Sequence, residues 1–145
     1  MTSRVLFVCL GNICRSPAAE GVLRARAPQI ATDSCGTGDW HVGKPPHPPM
    51  QQAARARGYD LSDLRARQFD PADFHRFDLI VAMDDKTLRD IEMQRPSGNG
   101  VPLRLLTDFA PERGMDHVPD PYFTGDFDGV FDLIETAVRG LAARL

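Results

Sequence analysis

Hydrophobic positions recur along this chain in two rhythms. Val5-Leu6-Phe7-Val8 is an unbroken apolar run with two β-branched members, soon followed by Gly11, the pattern of a strand buried in a parallel sheet. Ser16-Pro17 reads as a helix start, with Ser16 as the cap and Pro17 at the first helical position. That helix should run to about Ala27 and stop before Pro28. Ile30 to Asp33 suits a short second strand. Gly36 to Pro49 is a loop rich in Gly and Pro, and a helix from about Pro49 to Arg57 ends at Gly58. Asp78-Leu79-Ile80-Val81-Ala82-Met83 predicts a third strand, with Asp84 or Asp85 capping a helix to about Met93. Arg95 to Gly100 is a turn-rich break, and Pro102 to Leu106 predicts a fourth strand. From Asp126 onward, Val130, Ile134, Ala137, Val138, Leu141 and Leu145 fall on one helical face, so the last helix packs on the core.

Strands alternating with helices predict an α/β fold, a doubly wound sheet in a single domain over residues 1–145. There is no internal repeat or linker, and 145 residues with 42% hydrophobic positions suffice for one full core. Seventeen basic against twenty acidic residues give a net charge of -3. That balance argues against a general nucleic-acid binder, which needs a basic face, and leaves a local anion site open. Three cysteines, two of them close together near the start, do not make a disulfide scaffold. The apolar run around Val5 is too short for a signal core or a membrane span. The expectation is a cytoplasmic protein with no membrane partner, monomeric by default.

In open α/β sheets ligands bind beyond the carboxyl ends of the strands. Segment 9–16 leaves the first strand there and reads Cys9-Leu10-Gly11-Asn12-Ile13-Cys14-Arg15-Ser16. A loop of this length between strand and helix can fold around a tetrahedral anion, with backbone N–H groups turned inward and a helix N-terminus behind them. Gly11 and Asn12 tolerate left-handed backbone. Arg15 offers a planar fork for two phosphate oxygens, and the same field favours the thiolate form of a cysteine. Near the other end of the chain Asp120 stands between Pro119 and Pro121. A carboxylic acid placed there could protonate a leaving group, although Asp-Pro is also a plain turn signal.

The run Val5 to Pro17 resembles the active-site signature of the low-molecular-weight protein tyrosine phosphatases, and Val118-Pro119-Asp120-Pro121-Tyr122 is similar to that family's general-acid loop. The resemblance covers essentially the whole chain. It implies a four-stranded parallel sheet with helices on both faces, no metal or organic cofactor, Cys9 as nucleophile, Arg15 as phosphate clamp and Asp120 as general acid. It implies that Leu10 to Cys14 cradle phosphate, that the Ser16 hydroxyl bonds the sulfur, and that Ser34 helps to hold Asn12. Trp40 on one side and the pair Tyr122 and Phe123 on the other match aromatic walls for a phenyl ring. The histidine that the family often adds to the Asn12 network is replaced by Leu64, so that support must be simpler here. Substrates would be tyrosine-phosphorylated proteins, an autophosphorylated bacterial tyrosine kinase among the candidates.

Peroxide attacks an accessible thiolate first. Cys14, in the same tight loop, is better placed than Cys35 to form a disulfide with Cys9, and the resemblance implies the same partner. Cys35 reads as a core or loop thiol. His41, His47, His75 and His117 show no metal-ligand spacing and read as surface residues. A thiol-coupled arsenate reductase can use a related loop but needs resolving cysteines downstream, and after Cys35 there are none. A catalytically inactive phosphotyrosine-binding module would be expected to lack the nucleophile or the acid, and Cys9, Arg15 and Asp120 are all present.

Overall fold

In a computed structural model, which describes residues 2–145, four strands lie parallel in the order β2-β1-β3-β4. β1 is Arg4–Cys9, β2 Ala31–Gly36, β3 Leu79–Ala82 and β4 Leu103–Leu105. The register aligns Val8 with Cys35 on one side and with Ala82 on the other. The helices are α1 Arg15–Arg26, α2 Pro48–Ala56, α3 Asp85–Glu92, α4 Pro121–Thr124 and α5 Phe127–Ala142. Short 3-10 turns at Pro71–His75, Leu106–Phe109 and Pro111–Arg113 complete the chain.

Alternation along β1 sorts the core into two layers, because successive strand side chains point to opposite faces. Val5, Phe7 and Cys9 face a cluster built with Val22 and Leu23 of α1, Met50 of α2 and Phe131, Ile134 and Val138 of α5. Leu6 and Val8 face the other layer, with Cys35, Phe74, Ile80 and Ile91 of α3. Helices therefore cover both faces, and β1 is buried throughout beyond Arg4. This is a single α/β domain of the doubly wound type. Since β2 and β3 flank β1, the chain winds one way from β1 and then the other, and the crevice between the carboxyl ends of β1 and β3 is the natural ligand position.

Two local expectations need correction. Ser16 is not the cap of α1. Cys14 occupies that position, without a side-chain cap bond, and Arg15 is already helical. The loop curls back on Cys9 before the helix begins, so Ser16 enters the first turn with its hydroxyl turned to the sulfur, and Pro17 sits third rather than first. The segment after Asp120 is not a bare turn either, since Pro121–Thr124 forms a short helix with Asp120 as its cap.

Candidate active site

The loop from Cys9 to Ser16 is held from beneath. Asn12 has φ of +56°, the only positive φ at a non-glycine position among the described residues. Its backbone N–H donates to Cys9 Sγ at 3.2 Å. Its side-chain amide donates to Ser16 Oγ at 2.8 Å and to Ser34 Oγ at 2.9 Å, and its Oδ1 accepts the Arg67 N–H at 3.0 Å. Left-handed backbone costs L-residues roughly 1–2 kcal/mol, and these bonds offset that cost. Ser16 Oγ lies 3.0 Å from Cys9 Sγ. The support without a histidine at position 64 is thus a direct one, completed by Glu20, whose Oε1 accepts the Ser34 hydroxyl at 2.7 Å.

Gly36 makes room for this loop at the end of β2. A Cβ there would stand 2.7 Å from the Leu10 carbonyl oxygen and 3.2 Å from the Asn12 Cβ. The two nearest atoms, the Leu10 oxygen and the Gly11 carbonyl carbon at 3.1 Å, are backbone, and a Cβ is no flexible side-chain end, so little can yield.

Arg15 is buried and its guanidinium spans the crevice. Nη1 donates to Asp84 Oδ2 at 2.8 Å and to the Val118 carbonyl at 2.9 Å. Nη2 reaches Asp120 Oδ2 at 3.4 Å. Burial disfavours the charged guanidinium, but Cys9, Asp84 and Asp120 more than compensate, and the Arg15 pKa is raised. Asp84 follows β3 and does two things, since its Oδ1 also caps α3 by accepting the Thr87 N–H at 2.8 Å. Burial pushes the Asp84 carboxyl up, yet the bonds from Thr87 and Arg15 win and hold it below the usual carboxylate range. Asp120 accepts the Tyr122 N–H at 3.1 Å through Oδ1, leaving Oδ2 toward Arg15. Val118, whose N–H donates to the Met83 carbonyl at 2.8 Å, pins this segment to the end of β3.

Cys9, Leu10, Gly11, Asn12, Ile13, Cys14 and Arg15 line one pocket of about 240 Å³ together with Asp120, Trp40, Tyr122 and Phe123. Ser16 and Ser34 lie buried below it. The aromatic rim is open: Trp40 is 65%, Tyr122 52% and Phe123 76% exposed. The Trp40 ring lies over Gly38, where a Cβ would clash with it. Tyr122 and Phe123 meet edge to face with centroids 5.5 Å apart.

All three cysteines are free and buried. Cys14 shares the pocket and the sheet face of Cys9, whereas Cys35 belongs to the layer on the opposite face. Burial, with Cys9 and Asp120 adding to it and Arg15 opposing, pushes the Cys14 thiol up to about 12.

Four residues of this site escaped the sequence reading. His41, taken for a surface residue, lines the pocket wall next to Gly11. His47, also read as surface, is half-buried against Tyr122 and Phe127. Asp84 was legible only as a cap, although its place at a strand's carboxyl end marked it. Glu20 showed no signal beyond a helical position. His75 and His117 are exposed. Among the described residues no three His, Cys, Asp or Glu side chains come together as metal ligands, and no helix is long and apolar enough to cross a membrane.

Comparison with known proteins agrees with this geometry. The family model for low molecular weight phosphotyrosine protein phosphatase matches residues 4–145. A low molecular weight protein-tyrosine-phosphatase of Streptomyces coelicolor is 42% identical over 154 residues, covering 99% of this chain and 93% of the relative. The crystal structure of YfkJ from Bacillus subtilis superposes with a TM-score of 0.93 at 39% identity, covering 99% of this chain and 94% of that one. Vibrio vulnificus Wzb in complex with benzylphosphonate gives a TM-score of 0.89 at 27% identity, each chain covered fully. With the strand order, the Cys9 to Arg15 loop and a match over nearly its whole length, the chain belongs to the low molecular weight phosphotyrosine protein phosphatase family.

Proposed function

We propose that this chain hydrolyses protein phosphotyrosine through a cysteinyl-phosphate intermediate, in one domain spanning residues 1–145 and without a cofactor. The observation that carries the reading is the meeting of Cys9 and Arg15, from one loop, with Asp120, 105 positions beyond Arg15, around one pocket. The Cys9 thiolate attacks phosphorus as the bond to the phenol oxygen breaks. Asp120 gives its proton to that oxygen, so a neutral phenol leaves. Arg15 and the inward N–H groups of residues 10–14 hold the equatorial oxygens, whose charge they balance. In the second step Asp120 takes a proton from water, water oxygen bonds phosphorus, and the S–P bond breaks to return thiolate and inorganic phosphate.

Asp84 and the Val118 carbonyl hold the Arg15 guanidinium at the pocket. The Ser16 hydroxyl, 3.0 Å from the sulfur, is placed to donate to the thiolate and stabilise it as both attacking and leaving group. Trp40, Tyr122 and Phe123 form walls for a phenyl ring at the mouth, which a shorter phosphoserine would not fill. Benzylphosphonate, the ligand named for the Vibrio vulnificus relative, carries such a ring on a phosphonate. The substrate is then a tyrosine-phosphorylated protein, an autophosphorylated tyrosine kinase being a candidate. A nucleophile that must stay reduced, and three unpaired cysteines, suit work in the cytoplasm, with a monomer as the default. Cys14, on the same sheet face, is the thiol that can trap oxidised Cys9 as a disulfide.

The test is metal-free hydrolysis of para-nitrophenyl phosphate and of a phosphotyrosyl peptide, with rapid acid quench. Phosphate should be trapped on Cys9 in the first turnover. Turnover with no label on Cys9, or arsenate reduction coupled to thioredoxin in its place, would refute the reading.

A further inference from the structure

Glu20 is a carboxyl on α1, 7% exposed, that plays no part in the chemistry above. Donor logic shows what it does. An amide nitrogen only donates, so Ser34 Oγ accepts from Asn12 at 2.9 Å and its own hydrogen must point elsewhere. Glu20 Oε1, at 2.7 Å, is the acceptor it finds. Ser16 Oγ likewise accepts from Asn12 at 2.8 Å, which frees its hydrogen for the Cys9 sulfur at 3.0 Å or, less closely, the Cys35 carbonyl at 3.3 Å. The bonds run outward from the Asn12 amide, through Ser16 to the sulfur and through Ser34 to Glu20, and an acceptor must close the Ser34 end. Leu64 has no side-chain polar atom to do so.

We propose that Glu20 is a positioning residue for the reaction: by accepting the Ser34 hydroxyl it keeps Ser34 an acceptor for the Asn12 amide, and so holds that amide where it donates to Ser16, whose hydroxyl faces the Cys9 sulfur. The proposal rests on Cys9 being the nucleophile.

Glu20 faces Ser34 and Asp33 from β2, Arg24 from its own helix and Asp63 from the segment after α2. Burial above all pushes its carboxyl up to about 7, Asp33 and Asp63 push the same way, and Ser34 and Arg24 oppose them. The charge closing the network therefore changes around neutral pH. A raised carboxyl pKa means that the folded chain keeps a proton the unfolded chain releases. The associated stability is full below the ordinary value of 4.5 and is lost as pH rises through about 7. Glu20→Gln, uncharged throughout, should gain melting temperature relative to wild type between about pH 5 and about pH 8.

The experiment follows two readouts against pH: alkylation of Cys9 by iodoacetamide, located by peptide mapping, and kcat/KM for para-nitrophenyl phosphate. Glu20→Gln keeps an acceptor oxygen and should lose at most about threefold at its best pH, with the ionisation near neutrality gone. Glu20→Leu removes the acceptor and should lose about tenfold or more in both readouts. Once Ser34→Ala cuts the link, adding Glu20→Gln should leave both pH profiles unchanged. Equal losses in the Gln and Leu variants, a neutral Leu variant, or an ionisation that survives in Glu20→Gln would overturn the proposal. If Glu20→Leu does not fold, the Gln variant with and without Ser34→Ala decides the matter. A wild type whose Cys9 alkylates with the expected pH profile but which hydrolyses nothing would count against the proposed function and leave the role of Glu20 standing.

Discussion

The loop over residues 9–16 and the aromatic rim share one pocket but are built in opposite ways. In the loop Asn12, Arg15 and Ser16 are at most 3% exposed. Among the described residues no buried side-chain nitrogen or oxygen lacks a partner. The rim stands more than half exposed at Trp40, Tyr122 and Phe123, held mainly by contacts between rings and by Gly38 beneath Trp40. The phosphate end is fixed by hydrogen bonds within the protein, and preorganised dipoles cost no rearrangement during reaction. The rim gains its apolar contacts only when a phenyl ring covers it, so its contribution belongs to binding. Changes in the loop should therefore fall on kcat, and changes at the rim on KM.

The largest test of that division is Cys9→Ser, which should bind phosphate and show no measurable turnover, because serine has no anion at neutral pH. Calorimetry with inorganic phosphate beside a turnover assay checks it, and retained hydrolysis would break the comparison at its centre. Asp120→Asn comes next. Asparagine caps a helix as well as aspartate does, so α4 should survive while the proton donor is lost. The rate should drop by about 10²–10⁴, most for substrates with poor leaving groups. An equal loss for leaving groups of widely different pKa would make Asp120 a structural cap alone.

Gly36→Ala sharpens the claim that the loop is rigid. The new Cβ would push on the Leu10 and Gly11 backbone and on the Asn12 Cβ, so melting temperature should fall by an amount equivalent to about 1–3 kcal/mol, with phosphate affinity falling in parallel. Unchanged affinity would show that the loop adapts. At the rim, Phe123→Ala should raise KM for a phosphotyrosyl peptide a few-fold, roughly 1 kcal/mol of lost apolar contact, with kcat and inhibition by inorganic phosphate unmoved. A fall in kcat instead would join rim to loop.

The smallest effect on turnover is expected from Cys14→Ser, whose consequence is redox. Wild type exposed to peroxide should form a Cys9–Cys14 disulfide and recover in dithiothreitol, while the variant oxidises irreversibly. Because burial holds the Cys14 thiol protonated until about pH 12, closure of the disulfide should quicken as pH rises. Equal recovery of both proteins, or a Cys9–Cys35 bridge on peptide mapping, would remove Cys14 from that role.

What the sequence by itself determined is local. The apolar run at Val5 to Val8, the Cys9 to Arg15 spacing, the heptad-like face of α5 and the Asp84 cap all depend on residues a few positions apart, and each is found where its pattern put it. Only tertiary structure decided the rest, since the partners lie far apart in the chain. Asp84 meets Arg15 across 69 positions and Asn12 meets the Arg67 N–H across 55. Ser16 lies closer to its partner and reads as a cap in isolation, because its hydroxyl suits a helix start; the family resemblance, not the local pattern, points to the sulfur that the folded loop turns it toward. Gly36 is a plain loop glycine until Leu10 is laid over it, and Glu20 a plain helix residue until β2 brings Ser34 against it. A linear chain specifies which groups can bond, but which of them lose water together is settled only when the sheet has formed.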